Sequence, residues 1–318
     1  MPARFQWDPR LSTGPDTSGY LSGTEDRRHF IGGLKPWQSL GTSAGCHRSA
    51  GLLPLPLHNL MSDSSPPTAP AGTKAALFAT CIVDQIYPEV GVSVVRVLRR
   101  LGVEIDFPMD QTCCGQPLYN SGFTRQARSL ARRVLRSFKN SGYVVVPSGS
   151  CAAMIRVFYL DLLRDDAALL QQARELSSRV YEFSEFLVKV LGVENLEASY
   201  PGTATYHPSC HLLRELEVRE EPLRLLRHVR DLHLMELPQA ETCCGFGGTF
   251  SVKFPHIAQG MLDDKIANIT ATGADTLVSC DMSCLMHIAG SLGRRGSGIE
   301  VRHLAQVLDR VAEPPREK

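Results

Sequence analysis

The chain has 318 residues, 43% of them hydrophobic and 21% charged, which is enough for two domains that each bury a core. Lys and Arg number 34 against 33 Asp and Glu, and the net charge of +1 argues against a nucleic-acid binder working by bulk electrostatics. No run of about 18 apolar residues offers a membrane span, and the first residues lack the basic stretch and apolar core of a secretory signal.

In chain order, residues 1–73 read as a disordered or loosely attached extension. Residues 1–72 hold 9 Gly and 9 Pro, with no sustained apolar period. The run Ser62 to Pro70 is a linker by composition, and Met61 just before it is the expected translation start, with residues 1–60 upstream of it. Cys46, in this extension, is a lone thiol. From Ala75 to Thr80 a short apolar run predicts a buried strand ending at Cys81. Val90, Val94, Leu98 and Leu101 follow at helical spacing, Val103 to Ile105 alternates like a strand, and Phe123, Ala127, Leu130, Val134 and Phe138 mark another helix. Tyr143 to Val146 is a β-branched run leading to Cys151, and Asp165 to Leu191 reads as helical. The boundary between halves is expected near 195–202, around Pro201-Gly202, giving domains over 74–200 and 201–312 and a tail over 313–318. In the second half, Thr203 to Tyr206 predicts a strand leading to Cys210, Leu223 to Val229 a helix and Leu232 to Leu237 a strand. Ala258, Leu262, Ile266 and Ile269 then suit a helix, and Asp275 to Val278 a strand. Strands alternating with helices imply an α/β fold with mainly parallel sheet, and the cysteines fall in loops after strands.

The chain is too long and too rich in core for a disulfide scaffold, so clustered cysteines point to metal or redox chemistry. Two triplets, Cys113-Cys114-Gly115 and Cys243-Cys244-Gly245, lie 130 residues apart, each after a Thr. Cys81 precedes the first by 32 positions and Cys210 the second by 33. Cys151 and Met154 lie 37 and 40 positions beyond Cys114, as Asp281 and Cys284 do beyond Cys244. Such agreement indicates internal duplication. On these spacings Cys151 aligns with Asp281, Met154 with Cys284 and Ser150 with Cys280. Thiolates are soft ligands for zinc, copper or iron–sulfur clusters. Adjacent cysteines, with Cα atoms about 3.8 Å apart, are awkward on one small ion and more comfortable on a multi-iron cluster. Zinc sites favour Cys-x₂₋₄-Cys knuckles, and Cys280-x₃-Cys284 is the one instance. Gly245-Phe246-Gly247-Gly248 has Phe250 where a dinucleotide loop needs its third glycine, so it reads as a tight turn and predicts no NAD or flavin. His207 and His211 lie near Cys210 and could tune a centre by hydrogen bonding. Lys253 could meet an anionic carboxylate or be merely solvated. Arg96, Arg99 and Arg100, like Arg125, Arg128, Arg132, Arg133 and Arg136, read as solvated helix faces that could also dock an acidic partner.

Several segments resemble a known family. They are Ala79-Thr80-Cys81-Ile82-Val83-Asp84, Thr112-Cys113-Cys114-Gly115-Gln116-Pro117, Asn120-Ser121-Gly122 and Pro147-Ser148-Gly149-Ser150-Cys151. The second half adds Tyr206-His207-Pro208-Ser209-Cys210, the run from Thr242 to Lys253, and the run from Asp281 to Ile288. The chain resembles the cysteine-rich or CCG domain found in heterodisulfide reductase, in the glycolate oxidase iron–sulfur subunit and in succinate:quinone-type relatives. It looks most like the lactate utilisation protein A family, over about residues 74–312.

The resemblance implies two duplicated Rossmann-like CCG domains related by a pseudo-two-fold repeat. It further implies an iron–sulfur electron-transfer subunit of a cytosolic complex oxidising L-lactate to pyruvate, peripheral to the membrane at most through partners. Those partners would be a ferredoxin-like iron–sulfur protein and a third small subunit. One or two [4Fe–4S] clusters per chain would be held by Cys81, Cys113, Cys114 and Cys151, and by Cys210, Cys243, Cys244 and Cys284. It names no catalytic residue on this chain. In the heterodisulfide reductase relatives each motif ends in Cys-x-x-Cys, and five cysteines hold a noncubane cluster. Here the corresponding stretches are Cys151-Ala152-Ala153-Met154 and Asp281-Met282-Ser283-Cys284, so each repeat lacks one cysteine, and not the same one. Four thiolates still suffice for a cluster. Asp281 offers an oxygen ligand, although a helix N-cap is its more ordinary role, and Cys280 reads as a buried small residue. Two other readings stay open: a heterodisulfide-reductase-like or glycolate-oxidase-like subunit, and a non-enzymatic metal-binding or redox-sensing module.

Overall fold

The computed structural model describes Pro70 and residues 72–311. The expectations for the N-terminal extension, for Met61 and Cys46, and for the 313–318 tail lie outside the described residues. Among the described residues, eight strands form two sheets. Strands β1 (Lys74–Leu77), β2 (Glu104–Asp106), β3 (Tyr143–Val146) and β4 (Val180–Glu182) lie in the order β2-β1-β3-β4. Strands β5 (Ser199–His207), β6 (Arg230–Met235), β7 (Thr276–Ser279) and β8 (Glu300–His303) lie in the order β6-β5-β7-β8. Every neighbouring pair is parallel. Parallel neighbours require crossovers, and helices supply them. The central strands are buried on both faces, as in Val144-Val145-Val146 and Thr276 to Ser279, and so carry runs such as Val144-Val145-Val146 and Leu277-Val278 rather than an alternation. The duplicated α/β fold expected from the repeat is therefore present, with the same strand order in both halves.

The helix Pro88–Arg100 starts on a proline, turns Val90, Val94, Val97 and Leu98 inward and carries two arginines in its last turn. The helix Thr124–Ser137 buries Ala127, Ala131, Val134 and Leu135 and leaves its arginines outside. The stretch Asp165 to Leu191 is not one helix. Asp166 caps a helix over Ala167–Ser177, accepting from the Leu169 N–H, and the chain then runs through β4 before turning helical again at Phe183. Val180 and Tyr181 favour strand, but they lie inside a stretch whose apolar residues also suit a helix. Strand β8, Glu300-Val301-Arg302-His303, holds a single apolar residue and so shows no apolar run. Pro201 and Gly202, expected at the junction, lie inside β5, where the register shifts between Ser199 and Gly202.

The two halves share their core. One cluster of buried side chains takes in Phe78 and Val94 together with Tyr206, Leu212 and Leu304. A second packs Val83 and Val90 of the first half against Leu262 and Leu285 of the second. The helix Leu304–Leu308 packs on Pro88–Arg100, where Arg100 Nη2 donates to the Leu308 carbonyl at 2.7 Å. Among the described residues, no helix is long and apolar enough to cross a membrane.

Candidate metal centre

Three loops of each repeat, all following strand ends, carry the cysteines. Cys81 opens the helix Cys81–Ile86 after β1, Cys113-Cys114 leads into Gln116–Asn120 after β2, and Cys151 lies in Gly149–Ala153 after β3. Likewise Cys210 opens Cys210–Arg214 after β5, Cys243-Cys244 follows β6, and Cys284 lies in Met282–Arg294 after β7. In each sheet the strand order reverses between the first and third strands, which opens a crevice at their C-terminal ends. The glycine after each pair is left-handed, with φ of 89° at Gly115 and 85° at Gly245. A Cβ on Gly245 would sit 2.6 Å from the Ala258 carbonyl oxygen, so no side chain fits. That turn aims the glycine N–H back at the first sulfur of its triplet: Gly115 N donates to Cys113 Sγ and Gly245 N to Cys243 Sγ, each at 3.4 Å.

The sulfurs touch in two chains. Cys114 Sγ is hydrogen-bonded to Cys151 Sγ at 3.4 Å, and Cys81, Cys113 and Cys114 lie close enough in that order to perturb one another's ionisation. Cys210, Cys243, Cys244 and Cys284 follow one another in the same way. In each chain one thiol ionises first. The thiols of Cys114 and Cys81 donate to Cys113 and push it down to about 3. Those of Cys210 and Cys244 push Cys243 down to about 2. The hydrogen bond to that thiolate, with burial, raises Cys81, Cys114, Cys210 and Cys244. All eight cysteines line one cleft of about 800 Å³, part of it open to solvent.

The geometry corrects the alignment of the repeats. Cys151 and Cys284 are counterparts: each is the third residue after a helix N-cap, Ser148 or Asp281, and each touches the second cysteine of its triplet. Raw spacing misleads because the intervening helix has 17 residues in the second repeat and 14 in the first. Both repeats therefore lack the same cysteine, at Ser148 and Asp281. Cys280 matches Pro147 rather than Ser150, and Met154 is a core residue with no counterpart role. Cys280 is fully buried and accepts from the Tyr206 hydroxyl at 3.6 Å. Ser148 and Asp281 face each other across the repeats. Asp281 Oδ2 accepts from Ser148 Oγ at 3.1 Å and Ser150 N at 2.8 Å, while Oδ1 accepts from Ser283 N at 3.1 Å and from the Ser283 hydroxyl.

Two polar groups sit behind the second chain of sulfurs. His207 is 1% exposed, and neither ring nitrogen has a partner. Burial and the neighbouring Lys265 charge push it down to about 3, so the ring is neutral. A ring nitrogen lies within 4.8 Å of the Cys244 and Cys284 sulfurs, and among the described residues this is the only group of three ligand atoms that close. One tetrahedral zinc ion would want four sulfurs about 3.8 Å apart. The open chains of sulfurs suit a larger group.

Lys265 escapes a reading based on apolar and cysteine patterns. It is fully buried, and its ammonium donates to the carbonyls of Gln239 at 3.3 Å and Ala240 at 3.0 Å. Among the described residues no carboxylate pairs with it; the opposing charges are the sulfurs of Cys244, Cys243 and Cys284, which push its pKa back up against burial. A buried cation needs a counter-charge. The donor set, the unpartnered imidazole and this cation together fit an anionic, thiolate-held metal group. Its one trace in the sequence is position: Lys265 falls on the helical stripe of Ala258, Leu262 and Ile269. Lys253 ends the exposed helix Phe250–Lys253 and lines a hollow with Cys210, Cys243 and His211, whose Nδ1 is 3.7 Å from Cys210 Sγ.

Two parallel α/β repeats that gather their cysteines into one cleft define a cysteine-rich-domain protein, and the Cysteine-rich domain family pattern matches residues 75–156 and 204–289. Lactate utilization protein A of Geobacillus thermodenitrificans (strain NG80-2) is 50% identical over 236 residues, covering 74% of this chain and 98% of the relative. The protein of the same name from Bacillus subtilis (strain 168) is 47% identical over 236 residues, covering 74% of this chain and 99% of that one. The chain belongs to the lactate utilization protein A family. Among solved structures, a hypothetical protein from Helicobacter pylori shares the fold at a TM-score of 0.53 and 12% identity. That match covers 76% of this chain and 49% of the other, so this chain spans about half its length.

Proposed function

We propose that this chain is an iron–sulfur electron-transfer subunit of a cytosolic complex that oxidises L-lactate to pyruvate. The observation that carries the reading is the meeting of eight cysteines, in two matched sets of four, in one cleft. The names of the relatives, lactate utilization protein A, support the substrate. Cys81, Cys113, Cys114 and Cys151 would hold one [4Fe–4S] cluster, and Cys210, Cys243, Cys244 and Cys284 the other. Bound there, such clusters supply one-electron transfer.

The chain's own contribution is to position and shield. The glycine N–H groups of Gly115 and Gly245 hold the first sulfur of each triplet, and hydrogen bonds to sulfur raise a cluster's potential. Cys114, Cys151, Cys244 and Cys284 are buried and exclude water from one side, while Cys81 is exposed toward the cleft mouth. The proposed partners are a ferredoxin-like iron–sulfur protein and a third small subunit. Lys253, beside Cys210, is the proposed contact for a carboxylate. A heterodisulfide-reductase-like reading loses support, because the missing fifth cysteines are Ser148 and Asp281, bonded to one another.

The test is iron and acid-labile sulfide per chain after anaerobic purification, with electron paramagnetic resonance of the reduced protein. About eight of each is expected. Zinc in their place, or free thiols alone, overturns the reading in favour of a non-enzymatic metal or redox-sensing module.

A further inference from the structure

The two sets of cysteines are alike, but their surroundings differ in charge. Gly115 rests on Ala127 and Leu130 of its helix, and Gly245 rests on Ala258 and Met261 of the equivalent one. Seven residues beyond Ala127 is Val134, and seven beyond Ala258 is Lys265; both side chains are fully buried. A similar exchange occurs at the strand ends. His207 pairs with Ser279, the last residue of β7, whereas Phe78 holds that place beside β3, its N–H bonded to the Val145 carbonyl at 3.0 Å. The second set therefore has an ammonium and an imidazole where the first has an isopropyl group and a phenyl ring. The buried carboxylate of Asp281, which stands where the first repeat has Ser148, is bonded through Oδ2 to Ser148 and Ser150 beside Cys151, so its charge lies between the two sets.

Loop bracing alone does not explain the lysine. The loop before Cys243 is held by Lys265 through the carbonyls of Gln239 and Ala240. The loop before Cys113 is held by a neutral amide: Gln111 Oε1 accepts from Ala79 N at 2.9 Å, and its Nε2 donates to the carbonyls of Leu77 at 3.3 Å and Pro108 at 3.0 Å. Uncharged donors suffice for that task. The second repeat instead carries a permanent cost of burying charge, which only an anionic neighbour offsets.

We propose that Lys265 is a positioning residue whose charge sets the reduction potential of the Cys210/Cys243/Cys244/Cys284 centre above that of the Cys81/Cys113/Cys114/Cys151 centre. An electron shared between the two then rests at the second centre. This inference rests on the reading of both sets as cluster sites. The physical reason is that adding an electron to an anionic group is favoured by a nearby cation in a medium that screens poorly. The step involved is the oxidation of the first centre and the one-electron reduction of the second, with no bond made or broken and no proton moved.

The test is a redox titration of the whole chain followed by electron paramagnetic resonance, in the parent protein and in Lys265→Gln and Lys265→Arg. Cys114→Ser and Cys244→Ser variants assign each signal to its centre. In the parent, the second centre is expected to be reduced first. In Lys265→Gln, which keeps a hydrogen-bond donor and loses the charge, the reduced-to-oxidised ratio of the second centre at a fixed potential should fall at least tenfold. That is about 59 mV for one electron. The first centre should not move, and Lys265→Arg should retain the parent potential. Loss of iron from the second centre in Lys265→Gln but not in Lys265→Arg carries the same requirement for charge. Loss in both, or an unshifted potential in a fully loaded Lys265→Gln, overturns the proposal. A parent protein without iron and sulfide overturns the electron-carrier reading itself. A fully loaded parent whose first centre is reduced first overturns only this inference.

Discussion

Glu182 is fully buried at the end of β4 and caps the next helix turn, its Oε2 accepting from Ser184 N at 2.8 Å and Glu185 N at 3.3 Å, while Oε1 has no partner. Burial raises its carboxyl from 4.5 to about 8, against the pull of the Ser184 and Glu185 hydrogen bonds. The folded protein therefore holds this proton more tightly than the unfolded chain. The associated stability is complete below about pH 4.5 and is lost as pH rises through about 8. Glu182→Gln removes that dependence. It should be less stable than the parent in acid, by about 1–3 kcal/mol, because its amide N–H₂ has no partner. Above pH 8 it should be more stable by a few kcal/mol, at about 1.4 kcal/mol per unit of pKa shift. Denaturant unfolding of both proteins across pH 4–9 checks the crossover. Such residues are poorly legible in a sequence. The eight cysteines announce themselves by rarity and spacing, and the structure gathers all of them into one cleft. Glu182 has the composition of a surface residue, and only its place at a strand end buries it. Lys265 lies on a visible apolar stripe, but the period is carried by its apolar members alone.

At the scale of elements, Asp281 ties two helix starts together. It caps Met282–Arg294 through Ser283 N, and across the repeats it holds Ser150 N, one residue from Cys151. Ser148, its partner, caps Gly149–Ala153 by accepting from Cys151 N at 3.3 Å. Replacing Asp281 with Ala removes a cap worth about 1 kcal/mol. It also leaves the half-buried Ser150 N–H without its acceptor, at about 1–3 kcal/mol. Asp281→Ala should thus lower stability by about 3 kcal/mol, and Asp281→Ser should recover only the cap. Thermal unfolding measures the loss, and amide exchange should report loosening around both Cys151 and Cys284. Loosening around Cys284 alone would mean that the cross-repeat bonds carry nothing. The elements were legible where they were long. The helices Pro88–Arg100, Thr124–Ser137 and Pro255–Ala271 and the central strands follow their apolar periods. The edge strands β4 and β8, of 3 and 4 residues, are defined by pairing with a neighbour rather than by pattern. The alignment of the two cysteine sets was hidden by the longer helix of the second repeat.

At the scale of the whole molecule, duplication suggests two independent domains, yet packing contradicts independence. The helix Leu304–Leu308, last in the second repeat, buries Leu304, Ala305, Val307 and Leu308 and covers Pro88–Arg100 of the first. Arg96 and Arg100 of that first-repeat helix reach Asp309 at 3.5 and 3.8 Å. These pairs are exposed on one side and add little, so the coupling is apolar. A crossing backbone adds to it: a Cβ on Gly149 would lie 2.5 Å from Leu212 Cβ, so the two cysteine-bearing helices meet without room for a side chain. Because each sheet borrows cover from the other repeat, neither set of cysteines can be held if the opposite half unfolds. Leu308→Ala should therefore cost about 2–5 kcal/mol. That loss should appear as faster amide exchange in Pro88–Arg100 as much as in β8. Exchange confined to the second repeat would show instead that the halves fold separately, and that the shared cleft is only a docking of two finished domains.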